Sequence, residues 1–167
     1  HGPTYYKRYP QEKTLFLPDC QRSDIQHCSE QQVINTYDNT IAYTDFVLSE
    51  IISRLEKLES ASTLKTSMLY ISDHGESLGE KGVYLHGLPY AFAPEEQTHV
   101  AMLFWQNRSV ASHTDDCLAS VSSEAISHDN LFDIMLGVTS VSSNQYIESR
   151  DILAKCRKGD DMLVLTD

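Results

Sequence analysis

Basic residues are scarce in this chain: 13 Lys+Arg stand against 24 Asp+Glu among 167 residues, a formal charge of −11. Such a balance lacks the basic face that nucleic-acid phosphates require, so no nucleic-acid partner is expected. It also argues against adhesion to anionic lipid by this segment alone. Long apolar runs are missing too: the longest compact one is residues 100–105, well short of the roughly 18 residues a spanning helix needs. No opening stretch has the order of a signal peptide. No initiator Met opens the chain either, and a processed or cut chain is expected. What is present suits one domain: at 41% hydrophobic residues, a chain near this length buries about 68–70% of its unfolded surface. General disorder is excluded.

The four cysteines, at 20, 28, 117 and 156, form no CxxC pair and no zinc-finger spacing with histidine, which excludes a structural zinc knot. An even count suits two disulfides with three possible connectivities, or else four buried thiols in a reducing compartment. Cys20 and Cys28 bracket a polar loop, and closing that ring would stabilise by roughly 2.5 kcal/mol. Cys117 and Cys156 would be the remaining pair.

Residues 1–11 read as an irregular lead-in. Ser29 and Gln32 form a capping box, and Val33, Tyr37, Ile41, Val47, Ile51 and Leu55 carry a helical period to about residue 59. Asn35, Asp38, Asn39, Thr44 and Asp45 are polar for this helix, and solvent exposure with local hydrogen bonds is their expected role. Residues 66–71 read as a buried strand ending at Ser72-Asp73-His74-Gly75. Four of the seven glycines fall in the loop-like stretch 75–94, and a loop that long is usually functional. Residues 99–105 give a second strand, and a short helix is expected around 117–122. Ser127 caps a further helix that turns Leu131, Ile134 and Met135 inward and stops at Gly137. Strands alternating with helices make α/β the class. Residues 1–157 form the domain portion and 158–167 a tail.

Chemistry concentrates in Ser72-Asp73-His74-Gly75-Glu76-Ser77-Leu78-Gly79-Glu80 and in Tyr84-Leu85-His86-Gly87. Adjacent Asp and His just past a strand can converge on one ion at the sheet's carboxyl edge, and carboxylate plus imidazole suits zinc. Gly75 is expected to give the tight turn that aims them. His86 lies in a loop that would fold back over the same edge.

These runs, with His1-Gly2-Pro3-Thr4-Tyr5-Tyr6-Lys7-Arg8-Tyr9-Pro10, Tyr37-Asp38-Asn39-Thr40, Tyr43-Thr44-Asp45, Pro89-Tyr90 and Ser127-His128-Asp129-Asn130-Leu131-Phe132, resemble the lipid A phosphoethanolamine transferases. That family includes the mobile colistin-resistance enzymes and lies in the sulfatase-like branch of the alkaline phosphatase superfamily. The resemblance covers residues 1–157. It implies a membrane-anchored enzyme with a periplasmic catalytic domain, which moves phosphoethanolamine from phosphatidylethanolamine to lipid A through a Thr-linked intermediate. The resemblance also implies that this domain has helices packed on a central, mainly parallel sheet. Its Zn2+ would be held by Asp73 and His74 of this chain, with a Glu and the nucleophilic Thr lying upstream. His1 and His86 match histidines around the phosphoethanolamine or second-metal site, His86 doubling as a general acid, and Glu76 matches an acidic neighbour of the zinc. Cys20 and Cys28 match a family disulfide. One departure is Ala101, where the family usually has Pro, and it touches nothing catalytic. The partners implied are the upstream catalytic half and the membrane domain of the same protein, at the periplasmic face of the inner membrane.

Two alternatives stand beside this reading. One is a metal-dependent sulfatase or phosphomonoesterase of the same superfamily, and the other a catalytically inactive half-domain fragment. His27 and His113 read as solvated, His99 as packed at a strand start and His128 as a surface residue. The Tyr5-Tyr6-Lys7-Arg8-Tyr9 cluster could offer amphipathic side chains to a lipid surface, against ordinary packing of the lead-in.

Overall fold

A computed structural model describes residues 2–107 and 112–157, the side chains of 112–115 excepted. The chain divides into two compact units, His1–Asn107 and Arg108–Asp167.

The first unit is organised by α1 (Glu30–Ser60). Ser29 starts it as the sequence predicts: Gln32 N donates to Ser29 Oγ (3.3 Å) and Ser29 N to Gln32 Oε1 (3.0 Å). The buried positions differ from the expected apolar face. Val33 is buried, but so are Asn35, Thr36 and Asn39, while Ile41, Val47 and Ile51 are exposed. The polar side chains are inside because they hold the lead-in backbone to the helix. Cys20 N donates to Thr36 Oγ1 (2.5 Å), and Asn39 Oδ1 accepts from Leu15 N (2.8 Å) and Phe16 N (2.9 Å). Buried amides with every group occupied cost little; the expected solvent exposure does not hold for them. Tyr5, Cys20, Ile25 and Val33 form the core of this unit, with Tyr5 edge-on to Tyr37 at 5.6 Å. The Cys20–Cys28 disulfide is formed. Tyr5 and Tyr9 are buried, so packing decides their place in the lead-in.

β1 (Ser67–Ile71) follows α1, tied to its last turn by Thr66, whose hydroxyl and N–H both donate to Glu59 Oε2 (2.7 and 3.0 Å). Residues 75–94 are not the structureless loop the sequence suggests. They contain β2 (Ser77–Leu78) and β3 (Tyr84–Leu85), an antiparallel pair. α2 (Glu95–Thr98) and β4 (Met102–Gln106) follow. β4 pairs with β1 antiparallel, Ser67 opposite Gln106 and Ile71 opposite Met102. The α/β class stands, but among the described residues no strand pair is parallel. The reason lies in the connection: Ser72 N donates to Ala101 O (3.1 Å), so the chain re-enters the sheet at the end it left, which forces opposite directions. His99 precedes β4 and is exposed beside Glu95 (3.3 Å), not packed in a strand.

The second unit has α3 (Ser112–Val121), α4 (Leu131–Val138) and short 3-10 turns at Glu148–Arg150 and Ala154–Cys156. Val121, Ile134, Ile152 and Leu153 are its apolar interior. Of the three residues expected inward on α4, Ile134 is fully buried and Leu131 half-buried, whereas Met135 faces solvent. Buried Asp133 takes the inward place instead, accepting from Ile147 N (2.7 Å). Cys117 and Cys156 are bonded. Asp151, also buried, binds Tyr146 Oη (2.9 Å), Leu153 N (3.0 Å) and the Arg157 guanidinium. Among the described residues no helix is long and apolar enough to cross a membrane. The tail expected at 158–167 lies outside the described residues.

Candidate active site

β1 delivers Asp73 and His74 to the end of the antiparallel pair. Ser72 Oγ donates to His74 O (2.9 Å) and His74 N donates to Asp73 Oδ1 (3.1 Å). Asp73 Oδ2 lies 3.8 Å from His74 Nε2, so both side chains share one side of the edge, with the carboxylate 84% exposed. Gly75 is required here, though not for its turn: its φ is outside the left-handed region. A Cβ at 75 would run into the carbonyl of Glu96, and only its absence lets Gly75 N reach Gln97 O at 3.0 Å. Gln97 then reaches back, its Nε2 donating to buried Ser77 Oγ (2.9 Å).

That clamp places Glu76 inside, 6% exposed. Both of its oxygens are engaged. Tyr5 Oη donates to Oε2 (3.0 Å), while His86 Nδ1 lies 3.0 Å and Gly2 N 3.4 Å from Oε1. His86 is aimed back at the edge by the backbone on either side of it: Leu85 at φ 65° and Gly87 at φ 103° are both left-handed. For Leu that conformation costs about 1–3 kcal/mol, which the surrounding contacts must offset. The His86 ring then lies against that of His74, centroids 3.8 Å apart and 30° from parallel.

One ligand atom each from His74, Glu76 and His86 can be chosen within 4.8 Å of one another. Two imidazoles and a carboxylate are the donor set of zinc, and the residues fit such an ion. Burial, then the charge and hydrogen bond of Glu76, push the Tyr5 hydroxyl far above the ordinary phenol range. Tyr37 is raised for the same first two reasons. Tyr5 therefore remains a donor to Glu76 at any physiological pH. Of the sequence-predicted residues, the fold brings together Asp73, His74, Glu76 and His86; His1 lies outside the described residues. Tyr5 and the Gly2 backbone belong to the same constellation and were missed, although both sit in the opening run that carries the resemblance.

A sulfatase family model matches residues 1–141. The chain belongs to the sulfatase family. Within that family it is 48% identical over 162 residues to phosphoethanolamine transferase EptA of Salmonella typhimurium, covering 95% of this chain and 29% of that protein. It is 41% identical over 144 residues to phosphatidylethanolamine transferase Mcr-2 of Escherichia coli, covering 82% and 25%. Among solved structures, the soluble domain of lipooligosaccharide phosphoethanolamine transferase A from Neisseria meningitidis has TM-score 0.87 at 40% identity, covering 95% of this chain and 48% of that one. The C-terminal periplasmic domain of phosphoethanolamine transferase EptC from Campylobacter jejuni has TM-score 0.84 at 46% identity, covering 92% and 48%. This sulfatase-family chain thus spans less than a third of these curated relatives and about half of the solved soluble domains.

Proposed function

We propose that the intact protein carrying this chain transfers phosphoethanolamine from phosphatidylethanolamine to lipid A at the periplasmic face of the inner membrane, as a zinc-dependent enzyme whose nucleophilic Thr lies upstream. The observation that carries this reading is the buried Glu76 carboxylate shared between Tyr5 and His86 beside His74, in a chain similar over nearly its whole length to phosphoethanolamine transferases.

Asp73 and His74 would hold the zinc; Glu76 and His86, which together with His74 could also ligate an ion, keep their mutual hydrogen bond instead. The ion, when bound, supplies Lewis acidity that lowers the pKa of a hydroxyl nucleophile and offsets charge on phosphoryl oxygens. The rest falls to the chain's own side chains. Glu76, accepting from His86 Nδ1–H, orients that ring and leaves Nε2–H as its donating edge. His86 then protonates the departing alkoxide of the diacylglycerol and, with His1, binds the phosphoryl group in transit. Modification of lipid A phosphate adds a cationic ethanolamine, which is the basis for expecting polymyxin resistance.

In the intact enzyme, His86→Ala should lower transfer to lipid A by about 10²–10⁴-fold and, by taking a partner from buried Glu76, also lower thermal stability. His86→Asn, whose amide can still donate to Glu76, should lose transfer with unfolding little changed. Near-normal transfer by a folded variant would remove His86 from the chemistry.

A further inference from the structure

Residues 14–19 cross the flank of α1 on a backbone held from beneath. Fully buried Asn39 accepts from Leu15 N and Phe16 N and donates to Phe16 O (2.9 Å), and Asn35, one turn earlier, donates to Pro18 O (2.9 Å). A backbone so fixed cannot fold its apolar groups away, and Leu15, Phe16 and Leu17 are 69, 42 and 71% exposed. Three consecutive large apolar side chains are the reverse of what a solvated turn uses. The charge reverses locally as well. Residues 2–18 hold Lys7, Arg8 and Lys13 against Glu12 alone, in a chain with 13 basic and 24 acidic residues. Lys13 stands two residues from Leu15 with its ammonium 3.6 Å from the Phe46 ring centroid. Arg8 adjoins Tyr9, whose hydroxyl meets the same Asn39 amide (3.5 Å). Asp19, the next acid, is engaged as acceptor for Tyr9 Oη (2.9 Å).

We propose that the 15–17 turn is an interfacial anchor. It seats its side chains among the acyl chains of a phospholipid surface while Lys7, Arg8 and Lys13 meet the phosphates. Apolar insertion beside a basic rim is the physics of peripheral attachment, and the rigid backbone means little ordering is needed on contact. The anchor rests on exposure and charge beside α1 rather than on the His74–Glu76–His86 chemistry, so a failed transfer assay would leave it standing.

The test introduces Phe16→Trp, and separately Leu17→Trp, into the intact protein in vesicles of phosphatidylethanolamine and phosphatidylglycerol, with and without brominated acyl chains. After subtraction of the parent signal, the added indole should be quenched by the brominated chains. Quenching should weaken when Arg8→Gln and Lys13→Gln are added. An indole quenched by acrylamide but not by bromolipid would place the turn in water. One quenched by neither would place it under protein, another part of the same chain or a second copy. Either result overturns the anchor, and the second Trp position keeps the test decisive if the first variant fails to fold.

Discussion

Tyr9 shows how far one phenol is committed to its neighbours. Burial first, then its hydrogen bond to Asp19, push its pKa up to about 12. The sign follows from proton counting: above the ordinary phenol value the folded chain holds a proton that the unfolded chain has released, so stability falls with rising pH. The contribution is full below a pH of about 10 and is lost as pH rises through about 12. Tyr9→Phe should therefore flatten the stability profile in that window by one proton, read from urea midpoints on either side of it. The site residues differ in how visible they are in the sequence. Asp73, His74, Glu76 and His86 fall within fourteen positions, and a strand followed by a Gly-rich return brings them together by local rules. Tyr5 reaches Glu76 across 71 residues, and no period or spacing in the sequence encodes that meeting.

Helix α1 carries its start in its sequence. The Ser29–Gln32 box is formed as read, and Ser29→Ala should cost about 1 kcal/mol, seen as a lower denaturation midpoint at unchanged slope. Its buried face was not legible, because periodicity assumes that apolar side chains go inside. In α1 the inward positions include Asn35, Thr36 and Asn39, whose task is to satisfy the backbone of a segment with little regular structure of its own. Asn39→Leu should destabilise by roughly 2–4 kcal/mol, since it leaves two N–H groups and a carbonyl at 15–16 without their partner. Amide exchange at Leu15 and Phe16 would show the loss. β1 and β4 were placed to within three residues, but β2 and β3 were not legible, nor was the relative direction of β1 and β4. It depends on where the 72–101 excursion returns, and Gly75, free of a Cβ beside Glu96, permits that return.

For the whole molecule, each unit has its own disulfide: Cys20–Cys28 in the first and Cys117–Cys156 in the second. The second closes the longer loop, with a sequence separation of 39, and on the chain-entropy model contributes roughly 4 kcal/mol. Cys117→Ser with Cys156→Ser should thus raise hydrogen exchange across 112–157 while leaving protection in α1 and β1 near its original level. The shared carboxylate of Glu76 has a further consequence, one of timing on the ribosome. Tyr5 is made 71 residues before its acceptor, an interval of roughly 4–14 s at ordinary elongation rates. During that interval the opening segment has no partner for the phenol it will bury, and Glu76 in turn waits ten residues more for His86. This stretch of the nascent protein therefore emerges unfinished, and residues 2–9 close the site only after the strand edge and its returning loop have been made.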